Sequence, residues 1–208
     1  ATVNGAAVTS GSASGAIALS VGANTITTVV TAQNGTNKTY TVTVTRAASA
    51  NADLSAMSLS SGTLAPVFAS ATTSYTTSVG NATTSLTVTP TVSDATASVT
   101  VNGVAVTSGN ASGAIALNVG ANTITTVVTA QNGTTKTYTV TVTRAASANA
   151  DLSAMSLSSG TLAPVFASAT TGYTANVSNA TTSLTVTPSV SDATASITVN
   201  GVAVTSGS

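Results

Sequence analysis

Asp53, Asp94, Asp151 and Asp192 are the only side-chain carboxylates in the sequence, and Lys38, Arg46, Lys136 and Arg144 are its only basic side chains. There is no His, Cys or Glu. General acid–base catalysis draws mainly on imidazole or on paired carboxylates, and nucleophilic catalysis on a thiolate or on a hydroxyl beside a base. Asp53 and Asp151 lie 98 residues apart, as do Asp94 and Asp192. Each pair is therefore one position met twice, not a dyad within one domain. Lys136 could in principle activate a serine, yet no serine stands at a motif spacing from it. The inventory points to no catalytic residue, no cofactor-binding residue and no metal ligand set, and so to no enzyme.

The ligand chemistries fare little better. A Ca²⁺ site wants roughly six to eight oxygens, several of them carboxylates, whereas Asp53 and Asp151 each stand alone beside a basic residue, Arg46 or Arg144. Both aspartates are expected to cap or solvate a linker. Sugar platforms need exposed rings, and there is no Trp and only two Phe and four Tyr. Phe68, Tyr75 and Tyr138 all fall where core packing explains them. Asn-x-Ser/Thr triplets at Asn34, Asn37, Asn81, Asn110, Asn132, Asn176 and Asn179 arise by chance in so Asn- and Thr-rich a chain. Lys38, Arg46 and their copies are expected as solvated residues on a last strand, where lysine also discourages edge-to-edge pairing.

The elements that would carry these residues are built from unusual material. Only 4% of residues are charged and the formal net charge is zero, against about 25% charged in ordinary soluble domains. A neutral chain without a basic cluster gives a phosphate backbone no footing, which argues against nucleic acid as a partner. No apolar run reaches the roughly 18 residues of a membrane span, and residues 1–20 lack the basic start and apolar core of a signal peptide. The hydroxyl- and amide-rich remainder suits secreted, cell-surface or fibrous proteins.

Self-similarity sets the organisation. DLSAMSLSSGTLAPVFASATT begins at Asp53 and again at Asp151, and VNG recurs at Val3, Val101 and Val199. Residues 1–46 match 99–144 with five differences, and 197–208 begin a third copy of that stretch. The period is 98 residues, longer than solenoid units and suited to a sandwich domain. The expected domains are the C-terminal half of a repeat at 1–46, a linker at 47–53, a complete repeat at 54–144, a second linker at 145–151 and the N-terminal half of a further repeat at 152–208. The chain thus starts and stops inside repeats. Either more chain lies beyond both ends, or the tail half of one copy completes the head half of the next.

Within 54–144 the pattern is all-β. Ser85 to Thr89 and Lys136 to Thr143 alternate apolar and polar residues, as a strand with one buried face does. Leu54, Met57 and Leu59 mark a first strand and Tyr75 to Val79 a second; Ala97 to Asn102, Gly113 to Val119 and Asn122 to Gln131 add three. Asn102-Gly103 and Asn132-Gly133 read as tight hairpin turns, since Asn-Gly accepts the positive φ such turns require. The expected core is Leu59, Leu64, Phe68, Tyr75, Val79, Leu86, Val88, Val99, Val101, Ile115, Leu117, Ile124, Val128, Tyr138, Val140 and Val142. Thr126 shares the face of Ile124 and Val128, where Val is expected; its hydroxyl should bond backbone, or the strand should bulge there.

L-S-x-x-x-L-S-S-G-x-L-x-P-x-F, then Tyr75, VNG and VGANTITTVVTAQNGTTKTYTVTVTR, resembles the bacterial cadherin-like β-sandwich repeat family. The match falls on Leu54, Leu59, Gly62, Leu64, Pro66, Phe68 and Tyr75, and later on Asn102, Gly103, Gly120, Asn122, Ile124, Asn132, Gly133, Tyr138 and Arg144. It covers the chain apart from the linkers. The resemblance implies tandem immunoglobulin-like antiparallel sandwiches on large secreted or surface proteins, without catalytic activity. The expected function is a stalk, fibre, filament or adhesin spacer at the bacterial surface or outside the cell. Its expected partners are neighbouring copies of the repeat, in the same chain or head-to-tail between chains. A glycan- or protein-binding module of a surface adhesin is the alternative.

Overall fold

The computed structural model describes all residues 1–208 and contains strands, turns and loops but no helix. The chain divides into two compact units, one comprising residues 1–79 and 83–143 and the other residues 80–82 and 144–208. In the first unit the best-covered region is the stretch from Ala52 to Val142. A five-stranded antiparallel-rich sheet runs in the order Val104–Val106, Ser98–Val101, Gly120–Thr129, Thr135–Arg144, Ser74–Val79. Two short antiparallel pairs, Leu54–Leu59 with Val88–Val92 and Ser85–Leu86 with Ile115–Ala116, close the other side of a single core. The molecule is an all-β sandwich.

Period-2 patterning explains the core. Along Gly120–Thr129 the residues Ile124, Thr126 and Val128 are buried, and along Thr135–Arg144 so are Tyr138, Val140 and Val142, with their neighbours turned outward. Tyr75, Val79, Leu86, Val88, Val99, Val101 and Leu117 are buried as expected. Leu59, Leu64, Phe68 and Ile115 instead pack against the core while partly open. Leu54, Met57, Ala52 and Ala130 join the buried set. Phe68 stands 5.8 Å from Tyr75 and 6.2 Å from Tyr138, ring to ring, so the three aromatics form one cluster.

Several local expectations are corrected. The alternating run 85–89 is not one strand: Ser85–Leu86 pairs with Ile115–Ala116, and Val88–Val92 pairs with Leu54–Leu59. The change of partner falls at Thr87, whose amide and carbonyl are taken up by Ser60. Most of 113–119 is loop, and only Ile115–Ala116 is strand. At Asn102-Gly103 both residues adopt positive φ (47° and 80°), as a two-residue hairpin demands. At Asn132-Gly133 only Gly133 does (89°). There the loop runs wider, closed by Ala130 N to Thr134 O, and the Asn132 side chain accepts from Thr134 N. Thr126 pairs with Val101 in unbroken register, so there is no bulge, and its buried hydroxyl has no hydrogen-bond partner. The expectation of a backbone bond there was wrong.

Residues 1–46 repeat the sheet of 99–144 in part. Thr2–Val3 pairs with Ala6–Ala7 and with Gly22–Thr31, which pairs along its length with Asn37–Arg46. Its apolar face is open: Tyr40 is 51% exposed and Val42 56%, whereas their counterparts Tyr138 and Val140 are fully buried. In the second unit, Leu152–Leu157 pairs with Val186–Val190, and Ile197–Val199 with Val202–Val204. Here Leu184 is 43% exposed where Leu86 is 2%.

Candidate functional site

Two of the eight charged residues, Lys136 and Asp53, meet at the start of the first core strand. Lys136 Nζ, projecting from the Thr135–Arg144 strand, lies 2.7 Å from Asp53 Oδ1 and 2.7 Å from Ser70 O, and 5.2 Å from the centre of the Tyr138 ring. Tyr138 OH accepts from Leu54 N (3.0 Å) and donates to Ser70 O (2.9 Å). The last strand, the first strand and the loop at Ser70 are thereby tied at one point. The hydrogen bond to Asp53 raises the Lys136 pKa, against a smaller opposing effect of desolvation. A lysine held protonated, with carboxylate and carbonyl as partners, donates and cannot serve as a base. Asp53 therefore does not cap or solvate the linker, and Lys136 is not simply solvated. Both expectations are corrected: the two side chains form a half-open ion pair. Lys38, the copy of Lys136, sits over the Tyr40 ring at 5.3 Å.

Asp94 serves as a latch. Its Oδ1 accepts from Thr96 N and Thr96 Oγ1, each at 2.8 Å. A hydrogen bond from the Ser49 hydroxyl, then those from Thr96, hold the carboxyl below its usual range. Ser49 belongs to the 47–53 linker, and its backbone is gripped too: Asn132 N donates to Ser49 O (3.0 Å), and Ser49 N donates to Gln131 Oε1 (3.1 Å). In the second unit Asp192 repeats the arrangement with Thr194 and Ser147. The latch went unread in the sequence, though its signal was there: Ser49 and Asp94 recur in phase as Ser147 and Asp192.

No three acidic, His or Cys side chains come together anywhere, and the Asn132 side-chain oxygen accepts from Thr134 N within its own turn. A concavity of about 560 Å³ is lined by Val92, Ser93, Ala97, Val99, Val106 and Ser108 among others, with neither a ring nor a charge. Phe68, Tyr75 and Tyr138 face each other inside the sandwich, leaving no aromatic platform in that region.

Such a molecule belongs to a class of β-sandwich modules whose polar side chains fasten strands and linkers. The chain is a member of the Cadherin-like beta sandwich domain family, whose model matches residues 1–47, 52–145 and 150–208. The resemblance read from the sequence is thus borne out, and with it the all-β sandwich fold. No curated protein matches the chain. No helix is long and apolar enough to cross a membrane.

Proposed function

We propose that the chain is a non-enzymatic spacer outside the cell, a structural module that gains length by repeating one sandwich. The observation that carries this reading is where the chemistry-bearing side chains are spent. Lys136 and Asp53 bind each other, Asp94 and Asp192 bind Thr96 and Thr194 in their own turns, and Tyr75 and Tyr138 hydroxyls bind backbone. What is left for solvent is largely Thr, Ser, Ala and Asn. The latched Ser49 supports a linker docked on the sandwich that follows it, which favours stiffness over slack. Family membership supports a structural or adhesion role and a location at the cell surface. Domain limits at 47–53 and 145–151 are part of the proposal. A glycan- or protein-binding role would need a ring or charge in a cleft; the concavity near Val99 has neither, and the one lined by Asp151, Phe166 and Tyr173 corresponds to the core side of 54–144, where the matching Phe68 and Tyr75 are packed inside.

Small-angle scattering on chains carrying two, three and four 98-residue periods tests it. The ten-residue strands Gly120–Thr129 and Thr135–Arg144 rise roughly 34 Å at about 3.4 Å per residue, so each period should add roughly 35–40 Å to the maximum dimension. Compact growth, with the dimension rising as the cube root of mass, would defeat the spacer reading.

A further inference from the structure

The five Asn-Gly pairs of the chain fall into two kinds. At Asn4-Gly5, Asn102-Gly103 and Asn200-Gly201 both residues take positive φ, in tight hairpins. At Asn34-Gly35 and Asn132-Gly133 only the glycine does. The carboxamides differ accordingly. Asn102 Oδ1 reaches the neighbouring strand and accepts from Thr125 N (2.9 Å), while Asn102 N donates to Thr125 O (2.8 Å). Asn4 makes the same two bonds with Thr27. Asn132 is exposed, and its Oδ1 folds back over the next peptide to accept from Thr134 N (2.9 Å). Asn34 Oδ1 accepts from both Thr36 N (3.1 Å) and Thr36 Oγ1.

That fold-back brings together the parts of a reaction. The ring closed by Asn132 Oδ1 and Thr134 N contains both Asn132 Cγ and Gly133 N, the electrophile and the nucleophile of imide formation, and glycine has no side chain to hinder their approach. A donor on Oδ1 stabilises the oxyanion that forms as Cγ is attacked. Gly133 N must give up its bond to Ala130 O (2.9 Å) to do this, which opens one turn and no strand pair. For Asn102 the same attack strips Thr125 N of its acceptor, and the hairpin holds both Asn102 and Gly103 in the left-handed region.

We propose that Asn132 and its copy Asn34 are sites of spontaneous deamidation, and that at Asn132 the change loosens the linker. Gly133 N passes its proton to solvent and bonds Asn132 Cγ; the Cγ–Nδ2 bond breaks and the nitrogen leaves as ammonia. Water then opens the imide at either carbonyl. The product is aspartate, or an isoaspartate whose main chain runs through the former side chain. Each event puts a new carboxylate into a chain of formal net charge zero. The reaction falls where the 47–53 linker is held: Asn132 N donates to Ser49 O (3.0 Å), and Gln131 Oε1 accepts from Ser49 N (3.1 Å). Isoaspartate lengthens the main chain of that turn by one atom and slackens the pair of residues that grip Ser49. The chemistry needs only water, and it stands whether or not the chain is a spacer.

The test is peptide mass mapping of the chain 1–208 held at mildly alkaline pH in water enriched in heavy oxygen, both folded and in urea. Every deamidation fixes heavy oxygen in its own peptide, so the sites are timed side by side. In the folded chain Asn34 and Asn132 are expected to convert at least tenfold faster than Asn4 and Asn102, and in urea the four rates should converge. Thr36→Val removes the hydroxyl donor from Asn34 Oδ1; it should slow Asn34 and leave Asn132, in the same molecule, unchanged. Equal rates at Asn102 and Asn132 in the folded chain would overturn the proposal, as would a difference between them that survives in urea. Chains carrying isoaspartate at 132, separated by anion exchange, should exchange the Ser49 amide hydrogen faster than unmodified chains. Equal exchange there would overturn the loosening of the linker.

Discussion

Replacing Thr126 with Val should make the protein more stable. Thr126 is fully buried between Ile124 and Val128, in register with Val101, and its Oγ1 has no partner. Valine exchanges that hydroxyl for a methyl of nearly the same shape. A buried hydroxyl without a hydrogen bond costs about 1–3 kcal/mol in mutational data. Removing it should recover something on the order of 1–2 kcal/mol, because the strand and its neighbours need not move. For a domain of this size each kcal/mol shifts the midpoint by about 4–8 °C. The assay is thermal and urea unfolding of the Thr126→Val chain beside Thr123→Val, a change on the exposed face of the same strand that should move the midpoint little. An unchanged or lowered midpoint for Thr126→Val would refute the reasoning, because it would mean that the hydroxyl is satisfied in solution.

Other outcomes follow from the same structure. Tyr138→Phe strips Leu54 N of its acceptor at a buried site and should destabilise by about 1–3 kcal/mol; a loss under about 0.5 kcal/mol by urea titration would contradict the bond's role. Thermal melts with and without chelator should coincide, since Asp53 is committed to Lys136 and no acidic cluster exists; a shift of many degrees would show a calcium site. The Asp94 carboxyl, lowered from 3.8 first by Ser49 and then by Thr96, adds stability that is present above pH 3.8 and lost as the pH falls from there through the lower folded value. Ser49→Ala should flatten that acid limb, and identical acid limbs in both proteins would disprove the latch. Lys136, raised above 10.5 first by Asp53, adds stability held below pH 10.5 and lost as the pH rises through its folded value. Asp53→Asn should remove that alkaline limb.

Strand type and core were legible because Thr and Val alternate so regularly: Tyr138, Val140 and Val142 could only share one face. What alternation could not show was where a strand changes partner. Ser85 to Thr89 alternates without interruption, and the switch at Thr87 depends on Ser60, 27 residues away. The Asn-Gly pair at 132 misled because its glycine alone takes the left-handed conformation, leaving Asn132 free to bond Thr134. Leu54 and Met57 were recognised as strand but not as core, since a first strand beside a linker can equally be an exposed edge. The ion pair and the latch join residues 83 and 45 positions apart, and single charges scattered through a neutral chain give no local hint of such partners.

As a proposed spacer, the repeat should form a series of equal, separately closed sandwiches that carry length. Pulling single molecules of a chain with several periods end to end tests it most directly. Unfolding about 90 residues releases roughly 3.6 Å each, so with some 35 Å already spanned by the folded sandwich each event should lengthen the molecule by roughly 290 Å. Equal steps of that size, one per period, are the result expected. Steps of half that length, or periods that yield together in one event, would contradict it.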